Sequence, residues 1–315
     1  MGSRGPGISV IGCGGWEAGG TEWGPILSTG QVLAAMRVGF DAGINWVDTA
    51  EIYGNGRSED LIGQAIQGRD EVMVFTKVAS SPRGSGYAPS SIRRAAGASL
   101  RRLRRDVIDL YQLHWADERV TPLEDSWSAM ADLVDAGLAR WIGVSNFTAD
   151  LIQRCEAIRH VDSLQPHLSM LWQERMALVD ASRKNGTGVL AYGPLAFGLL
   201  TGSFTPKTRF PDDDWRSGKH GLRAYDQLFA PGRLDANLKV VDALKPVARR
   251  LGVSLAQLAL AWVLHQPGIT GVIAGSRSAL HVRENALSFS VRLSPSDMTD
   301  IRSILEHRGE LVIPL

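Results

Sequence analysis

The sequence predicts an α/β protein built as a single (β/α)8 barrel over residues 1–315, with extra helices and a long loop after the seventh strand. Three observations predict it. Eight short apolar runs, each continuous as in parallel strands buried on both faces, alternate with helical patterns along the chain. No break in composition and no linker divides them. A chain of 315 residues also suits one such barrel with insertions. A doubly wound sheet is the alternative, and it requires a phosphate-binding turn after the first strand. The only glycine cluster there, Gly12-Cys13-Gly14-Gly15-Trp16, is not promptly followed by a helix pattern, so that fingerprint is absent.

In order, the strand runs are 8–11, 44–47, 72–75, 107–113, 141–144, 161–164, 189–192 and 271–274. Helical patterns fill the gaps. Thr121-Pro122-Leu123-Glu124 combines an N-cap, a first-turn proline and a capping-box glutamate, and the helix it opens stops at Gly137. Ser254-Leu255-Ala256-Gln257 repeats the box. Over 89–104, Ile92, Ala95, Ala96, Ser99, Leu100 and Leu103 share one face, while Arg93, Arg94, Arg101, Arg102 and Arg104 point outward. No aromatic residue interleaves those arginines, which favours a solvated face over a nucleic-acid patch. Residues 201–235 read as a long loop, and 235–251 and 294–308 as helices outside the repeat.

Composition narrows the function classes. Hydrophobic residues make up 44% of the chain and charged ones 21%, enough for a large core and unlike a disordered chain. The net charge of +1 gives no global field for nucleic acid or anionic lipid. Two cysteines, Cys13 and Cys155, are too few for a disulfide framework. No apolar run reaches the length of a membrane span, and the N-terminus lacks the apolar core of a signal peptide, so a cytoplasmic protein is expected. No two of the seven histidines are spaced as a ligand pair, which argues against a metal.

Chemistry in such a barrel gathers at the C-terminal ends of the strands. Those positions hold Asp48, Lys77, His114, Ser145-Asn146, Gln165 and Tyr192, with Tyr53 a few residues beyond Asp48. Each alone has an ordinary reading: a helix cap, a surface lysine, a satisfied core histidine. Together they form a chemical unit. Lys77, one of six lysines against twenty-eight arginines, ends an apolar strand, and a buried ammonium there needs a carboxylate, which Asp48 can supply. A tyrosine beside that ammonium is expected to have its pKa drawn down toward the range of a general acid–base. A neutral histidine on the next strand can orient a carbonyl oxygen by donating a hydrogen bond. With no evident nucleophile, an external hydride donor is the natural complement.

The segment 45–54 (NWVDTAEIYG) followed by Arg57-Ser58-Glu59, then Phe75-Thr76-Lys77, 109–114 (DLYQLH) and 141–147 (WIGVSNF), resembles the aldo-keto reductase superfamily in order and over nearly the whole chain. Within it the chain looks most like the bacterial general-stress and inositol-operon reductases, which also resemble potassium-channel β-subunits. The resemblance implies a carbonyl reductase with a tetrad of Asp48, Tyr53, Lys77 and His114, Tyr53 being the proton donor, using NADP(H) in preference to NAD(H). It further implies that Ser145, Asn146 and Gln165 hold the nicotinamide carboxamide and that Tyr192 stacks on the ring. Trp16 joins the cofactor set. The block Gly193-Pro194-Leu195, followed by Gly198, Leu200 and Gly202, would place backbone amides on the pyrophosphate. Gly275, Ser276, Arg277, His281, Glu284 and Asn285 would bind the adenosine end, with Arg277 the candidate for the 2′-phosphate. An alternative for Arg277 is a plain surface charge at a helix start.

Three positions depart from the family pattern: Ser203 replaces a common lysine, His281 a glutamine and Leu168 a tyrosine. Lys207 or Arg209 is expected to replace the missing phosphate contact. Trp16, Trp23 and Trp115 lie near strand ends and could wall a pocket for a small aldehyde or ketone, whereas Trp46, inside a strand run, reads as core. The loop 18–24 is expected over the mouth, and no long C-terminal tail is expected to cover it. A nicotinamide-binding regulatory protein with slow turnover is the alternative function, and a barrel isomerase or lyase a third. The sequence leaves the oligomeric state open.

Overall fold

Eight parallel strands close into a barrel in chain order, each paired with its neighbours and the last with the first, in a computed structural model that describes residues 1–20, 22–24 and 28–307. The strands are β1 (Ile11–Gly14), β2 (Trp46–Asp48), β3 (Met73–Val78), β4 (Ile108–Leu113), β5 (Ala139–Ser145), β6 (Ser163–Gln165), β7 (Gly188–Tyr192) and β8 (Gly271–Gly275). A helical turn α1 (Trp16–Gly19) and α2 (Thr29–Asp41) follow β1. The succeeding strands lead to α3 (Arg57–Ala65), α4 (Pro89–Leu103), α5 (Leu123–Asp135), α6 (Ala149–Glu156) and α7 (Met176–Lys184). After β7 come α8 (Arg223–Leu228), α9 (Arg233–Leu251) and α10 (Leu255–Leu264), and after β8 come α11 (Ala279–Ala286) and α12 (Pro295–Glu306). No single helix among the described residues is long and apolar enough to cross a membrane.

The first strand lies three residues beyond the apolar run at 8–11, and the reason is steric. Trp46 points into the barrel bottom, and its ring fills the space where a Cβ on Gly12 would stand, 2.3 Å from the ring edge. A strand in that position must be small, so Gly12-Cys13-Gly14 pairs with β2 and β8 while Val10 stays exposed. Trp46 is fully buried against Phe75, Leu110, Leu190 and Ile273, and its indole N–H donates to the Ser9 carbonyl (2.7 Å). It is core, as its place in a strand run suggests. Two larger clusters fill the space between barrel and helices, one around Leu258, Leu244 and Trp215, the other around Trp127, Met130 and Ile142.

Local signals met mixed outcomes. Ser254 and Ser294 both complete capping boxes, with Gln257 and Asp297. Thr121 caps nothing: α5 begins at Leu123 with Pro122 in the cap position and no side-chain cap bond. On α4, Ile92, Ala96, Ser99 and Leu103 are buried, yet Arg102 does not point to solvent. It is half-buried and pairs with the buried Glu59 carboxylate (2.6 Å), which also accepts from Thr76 Oγ1. Nor is 201–235 a plain loop. It holds a 3-10 turn at Trp215–Ser217 and α8, and α9 begins at Arg233. Within the expected loop 18–24, Thr21 lies outside the described residues, as do residues 308–315.

Candidate active site

The C-terminal ends of the strands open into a cleft of about 1460 Å³. It runs from Trp115 and Arg83 on one side, across the barrel mouth, to Arg277 and Asn285 on the other. Strand register sets its floor. Gly14 of β1 stands level with Asp48, Lys77 with Gln112 of β4, and Ser145 of β5 with Gln165 of β6. Side chains from several strands therefore reach one plane.

Lys77 is fully buried, and its ammonium donates to Asp48 Oδ1 (2.5 Å) and to the Thr49 carbonyl (2.8 Å). Gln165 Nε2 donates to the other Asp48 oxygen (2.7 Å). Burial pushes the Asp48 carboxyl up and the Lys77 ammonium down, while their mutual contact opposes both shifts. An ammonium has three donors, so one remains on the side of Tyr53, whose ring centre lies 5.3 Å from Nζ.

The 49–58 segment fixes Tyr53. Thr49 and Ser58 share a hydroxyl contact (2.8 Å), Ser58 Oγ donates to Gly15 O (2.6 Å), and Arg57 donates to Ala18 O (2.9 Å). Gly54, at φ +60°, lets this loop meet Gly19: a Cβ on Gly54 would stand 2.4 Å from the Gly19 carbonyl oxygen. The Tyr53 ring stacks on Trp16 at 6.0 Å and meets His114 edge-on at 5.6 Å.

Burial raises the Tyr53 phenol well above its ordinary pKa, and Asp48, Tyr192, Glu17 and Glu22 push the same way. The expectation that Lys77 draws it down is not met, because burial disfavours the phenolate and the carboxylate of Asp48 adds to that. Burial, with Lys77 and Arg83 adding like charge, pushes His114 well below its ordinary range, so its ring is neutral. Its buried Nδ1 has no hydrogen-bond partner among the described residues. A protonated phenol and a neutral imidazole thus face one cleft.

The remaining expected residues divide clearly. Trp16, Trp23, Trp115, Ser145, Asn146, Gln165 and Tyr192 line the cleft. So do Gly193, Pro194, Leu195, Gly198, Gly275, Ser276, Arg277, His281, Glu284 and Asn285. Tyr192 Oη donates to Asn146 Oδ1 (2.8 Å), and Asn146 Nδ2 reaches the His114 carbonyl (3.2 Å), which locks the mouth of β4, β5 and β7 together. Four expected cofactor residues do not line it. Leu200 is fully buried in the core, and Gly202, Lys207 and Arg209 are not part of the cleft wall. The Arg209 guanidinium turns back onto the carbonyls of Pro206 and Thr208, whereas Ser203 does line the cleft.

Sequence reading missed several lining residues. Glu17 occupies the space beside Gly275, where Arg277 and Arg216 are its nearest cations. His167, beyond β6, stacks on Phe197 at 5.3 Å, and burial pulls it down to about 3. Arg216 pairs with Asp214 (2.6 Å) beneath Trp23, which itself bridges to Asp214 through the backbone. Position relative to β6 was a signal for His167, two residues after Gln165. Nothing local marked Glu17 or Arg216. No cluster of three or more metal-ligating side chains occurs among the described residues.

Known proteins resemble this chain over most of its length. The chain is 34% identical over 308 residues to aldo-keto reductase YhdN of Bacillus subtilis, covering 95% of this chain and 90% of that protein. It is 32% identical to the NADH-specific methylglyoxal reductase of Escherichia coli, covering 95% of each. The aldo/keto reductase of Klebsiella pneumoniae, solved in complex with NADP and acetate, is 30% identical with a TM-score of 0.72, covering 95% of this chain and 92% of that one. The sequence model of the aldo/keto reductase family matches residues 10–306, and the chain belongs to that family.

Proposed function

We propose that this protein reduces an aldehyde or ketone to an alcohol with NADPH, Tyr53 acting as general acid. The observation that carries the reading is the meeting of Asp48, Lys77, Tyr53 and His114 at the barrel mouth. Membership of the aldo/keto reductase family and the likeness to a relative solved with NADP support it.

The cleft fits a dinucleotide. It is long, it carries the amide-bearing Asn146 beside Ser145 under Tyr192, and it ends at a guanidinium, Arg277. Ser145 and Asn146 would hold the carboxamide, Tyr192 would cover the ring, and Gly193 and Leu195 would offer backbone amides to the diphosphate, the Gly198 amide being taken by the Leu195 carbonyl (3.1 Å). Arg277, with Ser276, would take the 2′-phosphate, for which a forked guanidinium is suited. Gln165 serves this site from behind, since its amide nitrogen is committed to Asp48. When bound, the reduced nicotinamide supplies a hydride to the carbonyl carbon.

The chain's own groups do the rest. His114, neutral, donates to the carbonyl oxygen and fixes its direction. Tyr53, held protonated in the free protein, passes its phenolic proton to that oxygen as it gains negative charge. The phenolate left behind is stabilised by the Lys77 ammonium, and Asp48 keeps that ammonium charged in its dry setting. Solvent at the cleft mouth then returns the proton to Tyr53.

The test is consumption of NADPH and of NADH with reactive aromatic and aliphatic aldehydes. Turnover with NADPH as the better cofactor is expected. Tight NADPH binding without turnover of any carbonyl would overturn the reading in favour of a cofactor-binding regulatory protein.

A further inference from the structure

The wall of the cleft beside His114 carries a cation without a counter-charge. Arg83 stands in the β3–α4 connection, and its guanidinium lies 4.5 Å from the centre of the Trp115 ring. Trp115 in turn packs against His114, ring centres 4.7 Å apart, and all three line the cleft. Among the described residues Arg83 forms neither an ion pair nor a hydrogen bond. The other arginines of the cleft wall are differently placed: Arg216 is paired with Asp214 and Arg119 with Asp117, while Arg175 stands just before α7 and Arg277 just after β8.

The turn that presents Arg83 is built rather than loose. The buried Asp117 carboxylate accepts from Ser80 Oγ and from the Gly84 amide (2.7 Å), and so pins both sides of Arg83 to the β4–α5 connection. Its second oxygen takes the Arg119 guanidinium (3.2 Å). Trp115 is fixed from below, because Tyr87 Oη donates to its carbonyl (2.9 Å). The positive charge of Arg83 is also felt at the catalytic imidazole, where it helps hold His114 neutral. Of the acidic residues that line the cleft, Asp48 is paired with Lys77 and Glu22 holds the Trp16 indole (2.7 Å), while Glu17 follows β1, Glu174 follows β6 and Glu284 lies in α11, none of them in the connection that carries Arg83.

We propose that the substrate is an anionic carbonyl compound, an aldehyde or ketone bearing a carboxylate, and that Arg83 on its Trp115 platform receives that carboxylate. This rests on the reductase reading given above. A planar guanidinium matches a carboxylate through two parallel hydrogen bonds, and the indole face beneath it suits the apolar spacer between carboxylate and carbonyl. With the carbonyl oxygen at Tyr53 and His114, a spacer the size of a benzene ring or a short alkyl chain leads toward Arg83. The carboxylate takes no part in the chemistry. Arg83 is a specificity residue, and its effect belongs in KM.

The experiment compares 4-carboxybenzaldehyde with its methyl ester, and with benzaldehyde, in NADPH-dependent reduction at low ionic strength. The acid is expected to exceed the ester in kcat/KM by roughly tenfold to a hundredfold, the range of one charge-assisted contact, through a lower KM at similar kcat. The acid-to-ester ratio should fall toward one in Arg83→Gln, recover in part in Arg83→Lys, and decline with added salt. Equal kcat/KM for acid and ester, or a preference that persists in Arg83→Gln, would overturn the proposal while leaving the reductase intact, because benzaldehyde would still be reduced. Failure of all three aldehydes would overturn the reductase reading itself, and the inference with it.

Discussion

Lys77 and Asp48 form an ion pair of 2.5 Å whose members are both closed off from solvent, so neither charge can be removed without stranding the other. Lys77→Met or Asp48→Asn alone is expected to cost about 3–5 kcal/mol of folding stability, and the double variant less than the sum of the two. In Lys77→Met the lone carboxyl takes up a proton at low pH, so the loss should shrink on acidification. Urea unfolding of the three variants at two pH values checks this, and additive losses would contradict it.

The two buried cleft histidines give a signed pH dependence. His114 is pushed well below the ordinary histidine range and His167 is pulled down to about 3, both first by burial. Their folded-state pKa values lie below the unfolded value, so the unfolded chain binds more protons as pH falls below about 6.5. Their contribution to stability is fully present above that pH and is lost progressively beneath it. Unfolding free energy should therefore fall from about pH 6.5 downward, and His167→Phe should flatten that slope. An unchanged slope would show that the ring titrates alike in both states.

Raised phenol and lowered imidazole also bear on catalysis. Tyr53 keeps its proton and His114 its neutrality across the neutral range, so kcat/KM for reduction should be flat there. A fall is expected only on the alkaline side, above the ordinary tyrosine value of about 10. A pH–rate profile with a break near the usual histidine pKa that disappears in His114→Gln would contradict this.

Arg277 and Glu17 share the far end of the cleft. Arg277→Ala is expected to weaken NADPH by about tenfold or more and NADH much less, as loss of one charge-assisted phosphate contact requires. Glu17→Gln should tighten NADPH by roughly twofold to fivefold, because a carboxylate no longer competes for that guanidinium. Fluorescence titration with both nucleotides reads the four constants. Equal weakening of NADPH and NADH in Arg277→Ala would remove the residue from 2′-phosphate recognition.

Trp46 is the plug of the barrel bottom, and Trp46→Ala should cost about 3–5 kcal/mol, the usual loss for a buried large aromatic. The same residue explains where sequence reading failed. Strands β2 to β8 coincide with apolar runs because bulky side chains there fill the layers of the barrel. β1 carries Gly12 because Trp46 already fills its share, so hydrophobic bulk misplaced it by three residues. The meeting of Asp48, Lys77 and His114 with Tyr53 was legible because strand-end position and residue type coincide at the first three. Positions in the long connection after β7 were not: Lys207 and Arg209 are basic in a suitable stretch of sequence, but only the folded loop shows that neither is part of the cleft wall and that the Arg209 guanidinium meets its own loop's carbonyls. The Tyr53 shift likewise depends first on how deeply the folded loop buries the phenol, which residue types alone do not show.

The most direct test of the account is Tyr53→Phe beside the wild-type protein, with NADPH affinity and NADPH-dependent reduction of an aromatic aldehyde measured on the same samples. The account predicts an unchanged dissociation constant for NADPH and a kcat lower by about 10²–10⁴, the contribution of one positioned general acid. Reduction by the variant at the wild-type rate would show that the proton comes from elsewhere and that the assembly of Tyr53 with Lys77 and His114 is not the catalytic centre.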